Sequence, residues 1–89
     1  MGCNKPEPAP LPTANFYVEN NGCIAPCNLI FYDNSENAVQ WKWTFGNGIS
    51  SVKKNDTVLF SSSGTYETWL YIWNADQVKD SLHKTIQVN

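Results

Sequence analysis

An all-β fold of two packed sheets is the class this sequence predicts, on three observations. From Ala14 onward, apolar side chains recur in short runs with two-residue alternation, the period of a strand with one buried face. Clusters of Asn, Gly, Ser and Asp separate the runs, and these residues suit tight turns. No stretch of ten or more residues carries the apolar spacing of an amphipathic helix. Short strands at close intervals with polar turns favour a sandwich over a mixed α/β fold.

The first predicted strand covers about residues 15–19, with Phe16 and Val18 on one face. The second, about 27–32, points Leu29 and Phe31 inward and Ile30 and Tyr32 outward. The third, about 39–45, puts Trp41, Trp43 and Phe45 on one face and Lys42 and Thr44 on the other. Gly46-Asn47-Gly48 ends it as a turn, because glycine and asparagine tolerate positive φ. A short strand near 56–60 buries Val58 and Phe60, and Ser61-Ser62-Ser63-Gly64 makes the next turn. Residues 65–74 form the longest strand, and the last runs from about 82 to 88.

A chain of 89 residues has the size of one small domain, and its 42% apolar content is enough for one core. Six basic and eight acidic residues leave a net charge of −2. The basic excess of a phosphate-backbone binder is missing, so nucleic acid is not an expected partner. No apolar run is long enough to span a bilayer as a helix. Residues 1–13 are read as a flexible Pro-rich tether and 14–89 as the folded domain; four of the five prolines fall in 4–13. Gly2-Cys3 resembles the end of a bacterial lipobox, where a small residue precedes the cysteine that receives a lipid. On that reading Cys3 is the membrane anchor of a lipoprotein at the bacterial outer membrane or cell surface. The competing reading is a free cysteine near the chain start.

Three segments resemble the PKD domain family. Ala25-Pro26, followed by Leu29, Phe31 and Ser35, looks like the family's second strand and the turn after it. Trp43-Thr44-Phe45-Gly46-Asn47-Gly48 is similar to its best-known motif, WDFGDG. Phe60 and then Gly64-Thr65-Tyr66, leading to Leu70 and Ile72, looks like the following strand, and Lys84-Thr85-Ile86-Gln87-Val88 fits the last one. The resemblance implies an immunoglobulin-like sandwich of about seven strands with Trp43, Phe45 and Tyr66 in its core. It also implies an extracellular adhesion, spacer or accessory-binding role. Thr44 and Asn47 stand where the motif has aspartates. Calcium favours several carboxylate or carbonyl oxygens, so no metal site is expected at this turn.

Cys23 and Cys27 flank Ile24-Ala25-Pro26. Fully extended, four residue steps span roughly 13 Å, too far for a disulfide, but a turn through Ala25-Pro26 closes the gap. Two reduced cysteines or half of a metal site are the alternatives. An extracytoplasmic location makes the disulfide the expected state. Chemistry is hard to assemble elsewhere. His83 is the sole histidine, and its sequence neighbours on a strand point to the opposite face, so Asp80, Ser81 and His83 do not form a triad. The carboxylates are scattered, and no Gly-rich phosphate loop leads into a helix. The sequence therefore predicts no enzyme, no catalytic residue and no cofactor.

One feature points to binding. With Tyr66, Thr68, Leu70 and Ile72 facing inward, the opposite parity of the long strand carries Glu67, Trp69, Tyr71 and Trp73. Alternate residues lie roughly 6.6 Å apart along a strand, so three large rings form a row. Such a row suits stacking on sugar rings or anchoring a protein partner, with polar help from Glu67 and Lys42. The other reading is structural: the rings pack with cross-strand neighbours, or are covered by another domain in a passive spacer.

Overall fold

The computed structural model describes residues 8–89, and their apolar–polar alternation resolves into seven strands. These are β1 (Phe16–Glu19), β2 (Cys27–Asp33), β3 (Gln40–Thr44), β4 (Ser50–Ser51), β5 (Asp56–Phe60), β6 (Gly64–Trp73) and β7 (Lys79–Val88). Every pairing is antiparallel. One sheet has the order β1-β2-β5 and the other β4-β3-β6-β7, which together make the immunoglobulin-like sandwich. Cys3 lies outside the described residues.

The inward parity of both sheets meets in one apolar layer. Phe16, Leu29, Phe31, Val58 and Phe60 come from the first sheet; Trp43, Leu70, Ile72, Ile86 and Val88 come from the second, with Phe45 just past β3. Fully burying such a side chain contributes about 1.5–3 kcal/mol relative to exposure. Trp43 occupies the centre. Its ring meets Phe16 edge-on at 5.0 Å and stacks with Phe45 at 5.8 Å, while its indole N–H donates to the Lys53 carbonyl at 2.9 Å. That last bond removes the cost of a buried, unpaired donor.

Two strand assignments differ from the sequence reading. β4 is only two residues long, too short to show a period, and β7 begins at Lys79 rather than Leu82. Lys79-Asp80-Ser81 resembles a polar turn, yet the inward charges of this edge strand find partners across the sandwich. Asp80 Oδ2 accepts from the Ala14 N–H at 2.7 Å, and Lys84 Nζ donates to the Phe16 carbonyl. Inward-pointing charges on an edge strand also discourage pairing with other chains.

Residues 9–13, whose composition predicts separation from the core, lie against the sandwich. Pro12 is buried, and Thr13 bridges Glu36. Asn74, itself buried, donates from Nδ2 to the Pro10 carbonyl at 3.0 Å. Its Oδ1 accepts from the Asp76 and Val78 N–H groups at 2.9 Å each, shaping the β6–β7 turn. Proline has no N–H to satisfy, so a Pro-rich segment can be laid on a surface with few donors left over.

Between β1 and β2 the predicted turn closes the Cys23–Cys27 disulfide, with Cα atoms 6.3 Å apart. This loop runs beside the chain end: Asn89 N–H donates to the Cys23 carbonyl and Ala25 N–H to the Asn89 carbonyl, both at 2.7 Å. It thereby ties the first sheet to the end of β7.

Two stability outcomes follow. At Gly46 (φ +82°) an added Cβ would lie 2.7 Å from the Glu67 carbonyl oxygen, whereas at Gly48 (φ +88°) it would meet open space. Gly48→Ala should cost roughly 1 kcal/mol for the left-handed backbone alone, and Gly46→Ala roughly 3 kcal/mol or more because β6 backbone must move. Equal denaturant midpoints for the two variants would contradict this assignment. The Cys23→Ser/Cys27→Ser variant should lose about 2 kcal/mol through loop entropy, read by urea unfolding against the oxidised parent.

Candidate functional site

Burial of Thr68, Leu70 and Ile72 commits the other parity of β6 to the outer face, and the structure places Glu67, Trp69, Tyr71 and Trp73 there in line. Register supplies their flanks. On the β3 side Thr44 lies opposite Trp69, Lys42 opposite Tyr71 and Gln40 opposite Trp73. On the β7 side Thr85 lies opposite Glu67, His83 opposite Trp69, Ser81 opposite Tyr71 and Lys79 opposite Trp73.

The three rings are partly buried, and they are not equivalent. Trp69 and Tyr71 have planes within 8° and centroids 5.8 Å apart, an offset stack rather than a continuous flat floor. Trp69 also stacks on His83, with centroids at 4.4 Å. Trp73 has no aromatic stacking partner among the described residues; the Lys79 ammonium lies 6.0 Å from its ring centroid and 4.6 Å from that of Tyr71. The row is thus braced at Trp69 and freer at Trp73.

Polar groups divide along the same axis. At the Trp69 end, Glu67 accepts from Thr85 Oγ1 at 2.7 Å and lies 3.4 Å from His83 Nδ1. The predicted partner Lys42 is separated from Glu67 and belongs to the Tyr71 end.

Beyond Trp73 the outer face turns into a cleft of about 500 Å³, bounded by Val39, Trp41, Lys42, Val52 and Trp73 among others. The cleft exists because β4 pairs only with Trp43 and Thr44, leaving the start of β3 as an uncovered edge. Trp41, expected to share the core face, packs only partly against the core, and its buried indole N–H has no partner among the described residues. The cleft is a shallow surface feature, and a second hollow of about 480 Å³ borders the other end of the row, lined by Thr44, Ile49, Ser50, Glu67 and Trp69 among others.

The sequence reading missed His83 and Lys79 as members of this face. Both have the right strand parity, but only pairing with β6 reveals which ring each one touches. Around the turn after β3, Asn47 serves the backbone: its Oδ1 accepts from the Ile49 N–H at 3.1 Å. Among the described residues no group of three or more His, Cys, Asp or Glu side chains is placed to hold a metal ion.

Comparison with known proteins fits this architecture. The PKD domain family matches residues 7–89. A solved structure of carbohydrate-binding modules from the β-sandwich superfamily, noted for promiscuous specificity, superposes with a TM-score of 0.83 at 23% identity. It covers 93% of this chain, which spans only 36% of that one. The PKD1 domain of Vibrio anguillarum Epp gives a TM-score of 0.79 at 23% identity, over 92% of this chain and 98% of that domain. The PKD1 domain of the Vibrio cholerae metalloprotease PrtV gives 0.78 at 24% identity, over 89% and 98%. No curated protein matches the sequence significantly.

The Trp69–His83 stack yields a direct test. A double-mutant cycle with Trp69→Ala and His83→Ala should return a coupling of about 0.5–1 kcal/mol, measured by urea unfolding. A coupling indistinguishable from zero would mean that the two rings are neighbours without mutual support.

Proposed function

This chain belongs to the PKD domain family, and from that premise we propose that it is a noncatalytic binding module that recognises glycan on the outer face of its four-stranded sheet. The observation that carries the reading is the placement of Trp73, a large ring without an aromatic stacking partner among the described residues, at the mouth of a cleft. A sugar ring has an apolar face that an indole can cover, while its hydroxyls need polar partners at the rim. Gln40, Lys42 and Gln77 stand at that rim. Trp69 and Tyr71 extend the contact along β6, and Glu67 closes the far end. Aromatic side chains suit this role because they offer wide contact area while few torsions are frozen.

The Cys23–Cys27 disulfide supports an oxidising, extracytoplasmic setting. In that setting we place the domain at a bacterial cell surface or outer membrane, with Cys3 as its lipid anchor. Residues 1–13 then lead from the anchor to the domain, with residues 9–13 laid against the sandwich.

A second reading, a passive spacer, is favoured by the Trp69 stack. A ring braced by both Tyr71 and His83 gives up part of its surface to the sheet itself. A spacer needs stiffness, which a cross-strand ring ladder provides, and it needs no ligand.

The two readings part on one measurement. The 89-residue chain, passed over soluble and insoluble polysaccharides, should be retained by at least one. A Trp69→Ala/Trp73→Ala variant, checked for folding by near-ultraviolet circular dichroism, should bind at least about 30-fold more weakly, as for other interface hot spots. Absence of retention across the polysaccharides would favour the spacer.

A further inference from the structure

We infer that the glycan recognised on this face is acidic, carrying carboxylate groups that meet the ammonium groups of Lys42 and Lys79. The inference rests on the aromatic row being a glycan site and adds the charge class of the ligand.

Three observations lead to it. First, Lys42 on β3 and Lys79 on β7 flank the same two rings of β6 from opposite sides. Adjacent strands lie about 4.8 Å apart, so the backbones of β3 and β7 are separated by roughly 10 Å. Two long, flexible lysines can close that distance around one sugar unit. Second, neither ammonium pairs with a carboxylate among the described residues; the carboxylate on this face, Glu67, lies beside His83 and Thr85 at the other end of the row. Third, nearby acids are turned to other tasks. Asp80 faces inward and accepts from the Ala14 N–H, and Asp76 accepts from the Ala9 N–H at 2.8 Å.

The result is a local reversal of sign. The chain as a whole carries a net charge of −2, yet the Tyr71–Trp73 end of the row presents two cations. Lys54 lies over the indole of Trp41, which lines the same cleft, with its ammonium 6.0 Å from the ring centroid. A neutral glycan needs hydroxyl partners but gains little from ammonium groups ranged on both sides of its path. An acidic one gains charge-assisted hydrogen bonds beside ring stacking. Lys79, resting over Tyr71, is also held near its working position before a ligand arrives.

The test uses matched polymers: polygalacturonate, alginate and hyaluronan, each beside its carboxyl-reduced, uncharged form. The 89-residue chain should bind at least one acidic polymer about tenfold more tightly than its reduced counterpart, measured by isothermal titration calorimetry. Lys42→Gln/Lys79→Gln should abolish that preference, and Lys53→Gln should leave it intact. The Trp69→Ala/Trp73→Ala variant should lose both polymers. Equal binding of each acidic polymer and its reduced form, still dependent on Trp69 and Trp73, would overturn the charge assignment while leaving the aromatic site standing. A preference that survives Lys42→Gln/Lys79→Gln would also overturn it. Failure of every polymer to bind would retire the glycan site and this inference together.

Discussion

Trp43 is the contact on which both sheets converge. It belongs to β3, but its ring faces Phe16 and Phe31 of the opposite sheet as well as Phe45 beside it. Its N–H is held by the Lys53 carbonyl, so the largest core side chain has a fixed orientation as well as a fixed place. Interiors pack at near-crystalline density, and a ring of this size leaves its neighbours little freedom. Phe31 illustrates the constraint, touching Trp43, Phe45 and Phe60 at once.

From that core the outer face follows by geometry. A strand that commits Leu70 and Ile72 to the interior has no choice about Trp69, Tyr71 and Trp73. Their partial burial comes from one another and from β3 and β7, and the sheet is stiffened by the same contacts that reduce the free surface of Trp69. The Gly46 turn belongs to this arrangement. Its lack of a side chain lets the backbone after β3 approach Glu67 closely, drawing the end of β3 against β6.

The opposite sheet has an aromatic pair of its own. Tyr17 and Tyr32 stack on its outer face at 4.8 Å, and desolvation, then the nearby Glu19 charge, hold the Tyr32 phenol above its ordinary titration range. This pair bridges β1 and β2 as Trp69 and His83 bridge β6 and β7. What distinguishes the β6 face is the end of its row. There the short β4 exposes an edge, a cleft opens beside Trp73, and Lys42 and Lys79 flank Tyr71 and Trp73. On the proposed reading, stiffness and recognition share this sheet: Trp69 is braced by Tyr71 and His83, while Trp73 has no aromatic stacking partner among the described residues.

Much of the fold was legible in local pattern because burial parity is a local property. Alternation identified Leu29, Phe31, Trp43, Val58, Phe60, Leu70 and Ile72 as core residues and put the aromatic row on the outer face. The glycines of the Gly46-Asn47-Gly48 turn were legible because their positive φ has a residue signature. The two-residue β4 escaped because it is shorter than a period. The polar start of β7 escaped because Asp80 finds its partner at Ala14, far along the chain. Docking of Pro12 was hidden for the same reason. The site divides likewise. Sequence alone determined which side chains share a face, since alternation survives any pairing. Only the tertiary structure decided that His83 lies against Trp69, that Lys42 and Lys79 flank Tyr71, and that a cleft opens beside Trp73. A two-residue slip of β7 would preserve every face and change every one of its neighbours, so those relations reside in strand register, which local periodicity does not encode.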